Sequence, residues 1–376
     1  IYGSKYPNSI FSFSTFDNPV GNIKYNITPH TWEGNRCKYC GASKSEYKRS
    51  DELETHAYEF IHRKKPEEIF NMKFDVIIGN PPYQLNDGGA GASAKPIYHL
   101  FVEQAIKMNP RYLSMIIPAR WYAGGKGLNE FRKSMLDNRH ITYLVDYADS
   151  SECFSGVNIA GGVCYFLWER DRTDDCEIVN VKKGNEVIMK RNLNEFPMLV
   201  RDNISVKIIR KILSFKEPIM VDIVKSRNPF GIPTTFKGSD STKEVKVQTS
   251  RGETWANKNE INDRDNILDK YKVVTTRAMS GGHKPSSDGD YAILSSLSII
   301  DPGEAFSETY LCIGDFDERG HAENLLTYAN TKLFRFLLLQ ALTSINITKE
   351  KFLFVPQQDF SKPWTDEELY KKYDLN

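Results

Sequence analysis

An α/β fold, with a mostly parallel sheet covered on both faces, is what the sequence predicts for the first half of the chain. Three observations carry it. Between Phe74 and Leu167 short apolar runs alternate with longer amphipathic stretches, the pattern of β-α-β units. The chain has 376 residues, 40% hydrophobic and 26% charged, which suffices for a sizeable core and two or three domains. The alternation then fades: residues 169–203 carry many charges and few strong periods, which marks a domain boundary.

The elements follow in order. Residues 1–35 are rich in Asn, Ser, Pro and Phe and show no sustained period. Phe74–Ile78 is a short buried strand. Pro96–Met108 predicts a helix with Tyr98, Phe101, Ala105 and Ile106 on one face. Tyr112–Ile117 is the next strand, and Leu128–Leu136 a helix with Leu128, Phe131 and Met135 inward. Ile141–Tyr147 and Gly162–Trp168 are two further strands. Residues 225–252, with Asn228-Pro229-Phe230-Gly231, read as loop-rich, and residues 280–289 as a flexible loop. Glu323–Thr343 predicts one long helix, with Leu326, Ala329, Leu333, Phe336 and Leu337 at helical spacing. Thr365 and Glu368 fit a capping box. Three regions result: an N-terminal segment, 1–70, packed on the core; a catalytic core, 71–200; and a third region, 201–376.

Composition excludes several classes. Lys+Arg is 50 and Asp+Glu 49, so a nucleic-acid surface must be a local patch. No apolar run approaches the ~20 residues that span a bilayer; Leu333–Leu342 is broken by Arg335 and Gln340. No membrane partner is expected. Six cysteines in 376 residues are no disulfide scaffold, so the expected location is the cytoplasm.

The chemistry concentrates at Phe74-Asp-Val-Ile-Ile-Gly-Asn80-Pro81-Pro82-Tyr83. A buried strand runs into Asn-Pro-Pro-Tyr. The two prolines fix φ and supply no N–H, so the loop is rigid. It lies at the carboxyl end of a sheet strand, where open α/β sheets bind ligands. Asn80 brings a side-chain carbonyl and Pro81 a backbone carbonyl. Two acceptors held together suit an NH₂ group with two hydrogens to give. Tyr83 adds a flat face for a ring. The exocyclic amine of adenine fits: its lone pair is delocalised, and accepting both hydrogens favours a pyramidal, nucleophilic nitrogen. The base must leave the duplex to react. The plain alternative is a strand-ending Pro-Pro turn with a solvated Tyr.

This segment resembles the catalytic tetrapeptide of S-adenosylmethionine-dependent amino-methyltransferases, and more closely the adenine-specific methylase domain of restriction–modification systems. Ser114-Met-Ile-Ile-Pro118-Ala-Arg-Trp121, Ile141–Asp146 and Gly156–Trp168 are similar to later segments of that family. The resemblance implies a partial Rossmann-like methyltransferase sheet followed by an α+β DNA target-recognition domain. It implies methyl transfer from S-adenosylmethionine to the N6 amine of a flipped adenine in double-stranded DNA. Asn80, Pro81, Pro82 and Tyr83 would be catalytic, with Tyr83 and Phe166, or Tyr165, stacking the base. A restriction endonuclease would be a separate partner or a fused domain. The alternatives are a protein-glutamine or RNA amino-methyltransferase, a non-catalytic DNA-specificity component, or a bifunctional restriction enzyme.

The family's glycine-rich cofactor loop precedes the tetrapeptide. Gly88-Gly89-Ala90-Gly91 and Gly124-Gly125-Lys126-Gly127 both follow it. With Ile1 at the start, the expectation is a cofactor loop upstream of Ile1 and a fragment inactive alone.

Cys37-x-x-Cys40 with His56 and His62 has the make-up of a structural zinc site. A reduced cysteine pair on a polar loop is the simpler alternative. No cysteine follows a proline, so the nucleophile that methylates cytosine at carbon is missing. Residues 201–250 hold ten Lys/Arg against five Asp/Glu. Lys207, Arg210, Lys211, Lys225, Arg227 and Lys237 are candidate phosphate contacts, and Arg251, Arg277 and His283 candidate base readers. The helix from Glu323, followed by Asn346–Pro356, resembles the ending of target-recognition domains. No carboxylate cluster has the strand context of a nuclease site.

Overall fold

The structure, a computed structural model, describes residues 32–37, 60–61, 65, 73–84, 95–123, 127–156, 159, 161–238, 243–278, 293–294, 296–342 and 346–375. The chain divides into two units, Ile1–Asn203 and Ile204–Asn376. Among the described residues no helix is long and apolar enough to cross a membrane.

The first unit opens with a small hairpin of β1 (Trp32–Glu33) and β2 (Arg36–Cys37), turned at Gly34 with φ 65°. Its main sheet has six strands: β3 (Val76–Gly79), β4 (Tyr112–Pro118), β5 (Ile141–Tyr147), β6 (Val163–Glu169), β7 (Cys176–Lys182) and β8 (Asn185–Arg191). Their order is β3-β4-β6-β5-β7-β8. Only β3–β4 and β5–β7 are parallel; β4–β6, β5–β6 and β7–β8 are antiparallel. The sheet is therefore mixed, not mostly parallel. The cause lies in the connections. A parallel neighbour needs a long crossover, which α1 (Tyr98–Lys107) supplies between β3 and β4. Between β5 and β6 the described residues hold only a 3-10 turn, Ser150–Glu152, and β6 returns antiparallel.

The charged stretch after residue 169, read as a domain boundary, still belongs to the first unit up to Asn203. It forms the β7–β8 hairpin on the same sheet, closed by Lys183 and Gly184, both at positive φ. That is the backbone a two-residue hairpin turn requires.

Helices α1 and α2 (Asn129–Asp137) both contribute to one core. Tyr98, Val102, Phe131 and Met135 pack with Leu113, Met115, Ile117, Leu144, Cys164, Phe166 and Trp168. The core residues of β4 and β6 alternate along each strand, as the two-residue period dictates. On β3 the alternate residues Val76 and Ile78 are 51% and 79% exposed. Among the described residues the expected cover on both faces is thus incomplete at this strand. β3 is also the sheet's edge among the described residues.

The second unit carries α3 (Asn203–Leu213), β9 (Val245–Thr249), β10 (Gly252–Ala256), β11 (Tyr271–Thr276), β12 (Ser298–Ile300), β13 (Glu304–Phe306) and β14 (Tyr310–Phe316). They form two three-stranded sheets, β10-β9-β13 and β12-β11-β14. One core joins them: Phe230, Val245, Val247 and Ala305 meet Val274, Ile300 and Cys312. The region expected to be loop-rich thus supplies the β9–β10 hairpin at its end and a fully buried Phe230.

The predicted long helix is two helices, α4 (Arg319–Ala329) and α5 (Lys332–Ala341). The side chain of Thr331 accepts from the Phe334 amide and donates to the Tyr328 carbonyl. A threonine in this role starts a new helix rather than continuing the old one. At the end of the chain α6 (Asp366–Tyr373) begins with the expected Thr365–Glu368 capping box.

Candidate active site

The carboxyl ends of β3, β4 and β5 lie along one edge of the sheet, because β3 and β4 are parallel and β6 reverses twice between β4 and β5. Asn80-Pro81-Pro82-Tyr83 leaves β3 at this edge. Asn80 is exposed, Pro81 buried, Pro82 exposed and Tyr83 half-buried. Asn80 makes no side-chain hydrogen bond among the described residues, so its carbonyl is open to a ligand.

The far end of the motif is fixed. The Tyr83 carbonyl accepts from the Ile97 amide at 3.1 Å, and Gln84 bridges to Pro96. Ile97 has no exposed surface and leads directly into α1. The Tyr83 ring packs against the core, with its hydroxyl buried and without a partner. Burial, then the nearby Cys153 and Cys164 thiols, pushes its pKa up to about 12. It is therefore a neutral phenol, suited to packing and stacking and not to acid–base work.

Next to it, Tyr98, His99 and Phe131 form an aromatic cluster with centroids 5.8–6.1 Å apart. His99 Nδ1 is buried without a partner, and burial, then Lys95, lowers its pKa to about 4.

A second group closes the same edge. Asp146, the one charged residue of β5, is 2% exposed. Arg201 forks onto it, Nε to Oδ2 at 2.6 Å and Nη2 to Oδ1 at 2.8 Å. Its remaining N–H groups donate to the Gly161 carbonyl at 2.7 Å and the Tyr147 carbonyl at 2.9 Å. The Tyr122 hydroxyl donates to Asp146 Oδ1 at 3.0 Å, and the guanidinium lies 5.6 Å from that ring's centroid. This network ties the ends of β5 and β6 to the turn after β4. Sequence reasoning missed it, although a lone Asp closing Ile141–Val145 was its signal.

Gly162 belongs to the same lock. Its φ is +77°, and a Cβ there would sit 2.1 Å from the Tyr147 carbonyl oxygen. Only glycine fits so close an approach of two backbones.

Several predicted residues fall elsewhere. Phe166 is fully buried in the core, so a base cannot reach its ring in this arrangement. Tyr165 is half-buried on the other face of β6, 6.4 Å from Tyr147. Cys40, His56, His62 and His283 lie outside the described residues, and only the backbone of Cys37 is described, at the end of the β1–β2 hairpin. The glycine clusters at 88–91 and 124–126 also lie outside them.

The basic residues do not converge either. Lys207 and Arg210 lie on the exposed side of α3. Lys211 pairs with Asp374 at 2.7 Å and Lys225 with Asp315 at 2.6 Å. Lys237 is exposed, and Arg251 stands at the tip of the β9–β10 hairpin. Only Arg227 and Arg277 share a site, both meeting Glu308.

A tetrapeptide of this kind at this edge of the sheet invites comparison with known methylases. Residues 5–154 match the model of the Eco57I restriction-modification methylase family. The family match thus covers the tetrapeptide and the three strands β3, β4 and β5. An uncharacterized adenine-specific methylase of Mycoplasma pneumoniae is 36% identical over 206 residues, 49% of this chain and 49% of the relative. The type II restriction enzyme and methyltransferase RM.Eco57I of Escherichia coli is 25% identical over 135 residues, 31% of this chain and 13% of the relative. The chain therefore spans half or less of the curated relatives it matches. Among solved structures, the type IIL restriction-modification enzyme MmeI in complex with DNA aligns with 73% of this chain and 45% of its own. Its identity is 10% and the TM-score 0.38.

Proposed function

We propose that this chain is the substrate-binding part of an adenine-N6 DNA methyltransferase of a restriction–modification system. The observation that carries the reading is the open Asn80 carbonyl at the carboxyl end of β3, on a motif pinned by Pro81, Pro82 and the Tyr83–Ile97 hydrogen bond. The family match across the same strands supports it.

Asn80 Oδ1 and the Pro81 carbonyl accept the two N–H bonds of the adenine amine. The nitrogen lone pair is then drawn out of conjugation and available to an electrophile. Tyr83, held by its buried end, orients the extruded base. S-adenosylmethionine supplies the electrophilic methyl group. The described residues do not make a cradle for it: no glycine-rich turn precedes β3 among them, and β3 has no strand on its outer side. Double-stranded DNA is the substrate, with the second unit as its reader, and a structural zinc on Cys37, Cys40, His56 and His62 belongs to the same proposal.

The test uses protein expressed from its complete gene. Asn80→Ala should slow incorporation of labelled methyl groups into DNA by roughly 10²–10³-fold, the usual cost of one such electrostatic contact. DNA affinity should stay within about threefold, since phosphate contacts dominate binding. Normal turnover by the variant removes Asn80 from the mechanism. Labelling of protein or RNA but not DNA overturns the substrate class.

A further inference from the structure

The second unit contains a cleft of about 810 Å³, lined by Arg227, Arg277, Glu308, Thr234, Thr276 and Ser296 among others. Glu308 is its hub. The carboxylate, on a side chain only 17% exposed, accepts from Arg227 through Nε and Nη2, and Arg277 Nη1 lies 3.5 Å away. The two arginines differ. Arg227 is 69% exposed and spends two nitrogens on Glu308. Arg277 is 20% exposed, is held only loosely through Nη1, and makes no other side-chain hydrogen bond among the described residues. Its fork is left open.

Its backbone, by contrast, is rigid. The Arg277 amide donates to the Thr309 carbonyl at 2.9 Å, and its carbonyl accepts from Ile347 at 2.7 Å. The walls are short hydroxyl residues, and Thr276 and Ser296 are bonded to each other at 2.7 Å. The cleft is therefore roomy, carries its polar groups on a fixed backbone, and has a mixed polar and apolar lining.

A phosphate suits this site poorly, because Glu308 would face it. A guanine–cytosine pair suits it well. Its major-groove edge offers two acceptors, O6 and N7, that match an arginine fork, and one amine, N4, that matches a carboxylate. We propose that this cleft reads one guanine–cytosine pair. Arg277 contacts the guanine, and Glu308 both accepts from the cytosine amine and positions the Arg277 fork. Arg227 neutralises Glu308 when no DNA is bound. The proposal rests on the chain acting on DNA, as argued above.

The experiment maps methylated adenines across a genome for the complete protein and for Arg277→Lys, Arg277→Ala and Glu308→Gln, and measures duplex binding against salt. Thermal melts of each variant report folding. Arg277→Lys keeps the charge but loses the fork. It should lower discrimination at one guanine–cytosine position by roughly 10- to 100-fold and leave the other positions unchanged. Glu308→Gln should relax the same position. Uniform weakening across sequences, with a shallower salt slope, would make Arg277 a phosphate contact and overturn the assignment. Unchanged specificity in folded variants overturns it too. If the unmodified protein neither binds nor methylates DNA, the substrate reading above fails, and this one with it.

Discussion

Asp146→Ala isolates the charge network that closes the candidate site. The substitution removes two of Arg201's four hydrogen bonds and leaves the guanidinium facing only the Gly161 and Tyr147 carbonyls. Breaking a buried ion pair by deleting one partner costs about 3–5 kcal/mol. The Arg201 side chain is 30% exposed, so water recovers part of this, and the low end applies. The Tyr122 hydroxyl loses its acceptor as well, at about 1 kcal/mol for a buried group left unpaired. The sum is about 4 kcal/mol, against a total stability of roughly 5–15 kcal/mol for a typical domain. Amide exchange of β5 and β6, followed by mass spectrometry, reads the loss within the first unit alone. Protection there should fall by about 10³-fold, while β11 and β14 keep theirs. Asp146→Leu combined with Arg201→Met should recover most of it, because an apolar pair of similar volume replaces a buried ion pair at little cost. Exchange within a few-fold of the parent in Asp146→Ala would show that the pair holds nothing together. A double variant as unprotected as the single one would put the damage in packing and not in charge.

Gly162→Ala should be still more damaging, since a Cβ there meets two backbone carbonyls and the Arg201 guanidinium, at 2.1–2.7 Å; loss of soluble protein or of β6 protection checks it. His99 is held neutral in the fold, its pKa lowered to about 4 by burial and then Lys95. The folded state therefore binds fewer protons than the unfolded one between about pH 6.5 and 4, and stability should fall as pH drops through that window. In His99→Phe the slope of melting temperature over that window should flatten; an unchanged slope would assign it to other groups. Protein purified without added metal should carry one zinc per chain by elemental analysis, and less than about a tenth of an equivalent retires the Cys37, Cys40, His56 and His62 set.

The sequence made the strands of the first unit legible because their apolar runs are bounded by sharp punctuation. Ile141–Tyr147 is read to the residue, and Tyr112–Ile117 and Gly162–Trp168 to within one. Strand direction was not legible. Nothing in Gly162–Trp168 says that it runs antiparallel between β4 and β5, since both faces of the chain alternate alike in either sense. The β7–β8 hairpin escaped because polar and charged residues interrupt it: Glu177, Lys182, Glu186 and Lys190 hide the period of Cys176 and Ile178 on one strand and of Val187 and Met189 on the other. The helix break at Thr331 escaped because apolar spacing continues through it, and only the local hydrogen bonds of one hydroxyl decide between one helix and two. In the site, Asn80 stood out by the two prolines that follow it. Arg201 lies 55 residues from Asp146, and no local pattern joins them.

The position of β3 has a consequence for handling the protein. Among the described residues, Asn80 follows a strand that is paired with the sheet along one margin only, with Val76 and Ile78 exposed. Unpaired margins of this sort recruit whatever strand is nearest, including one from another copy. A polypeptide laid along β3 would pair with its free backbone groups and stiffen the strand that leads into Asn80. Colloidal behaviour and the geometry of the candidate site are thereby joined in one strand.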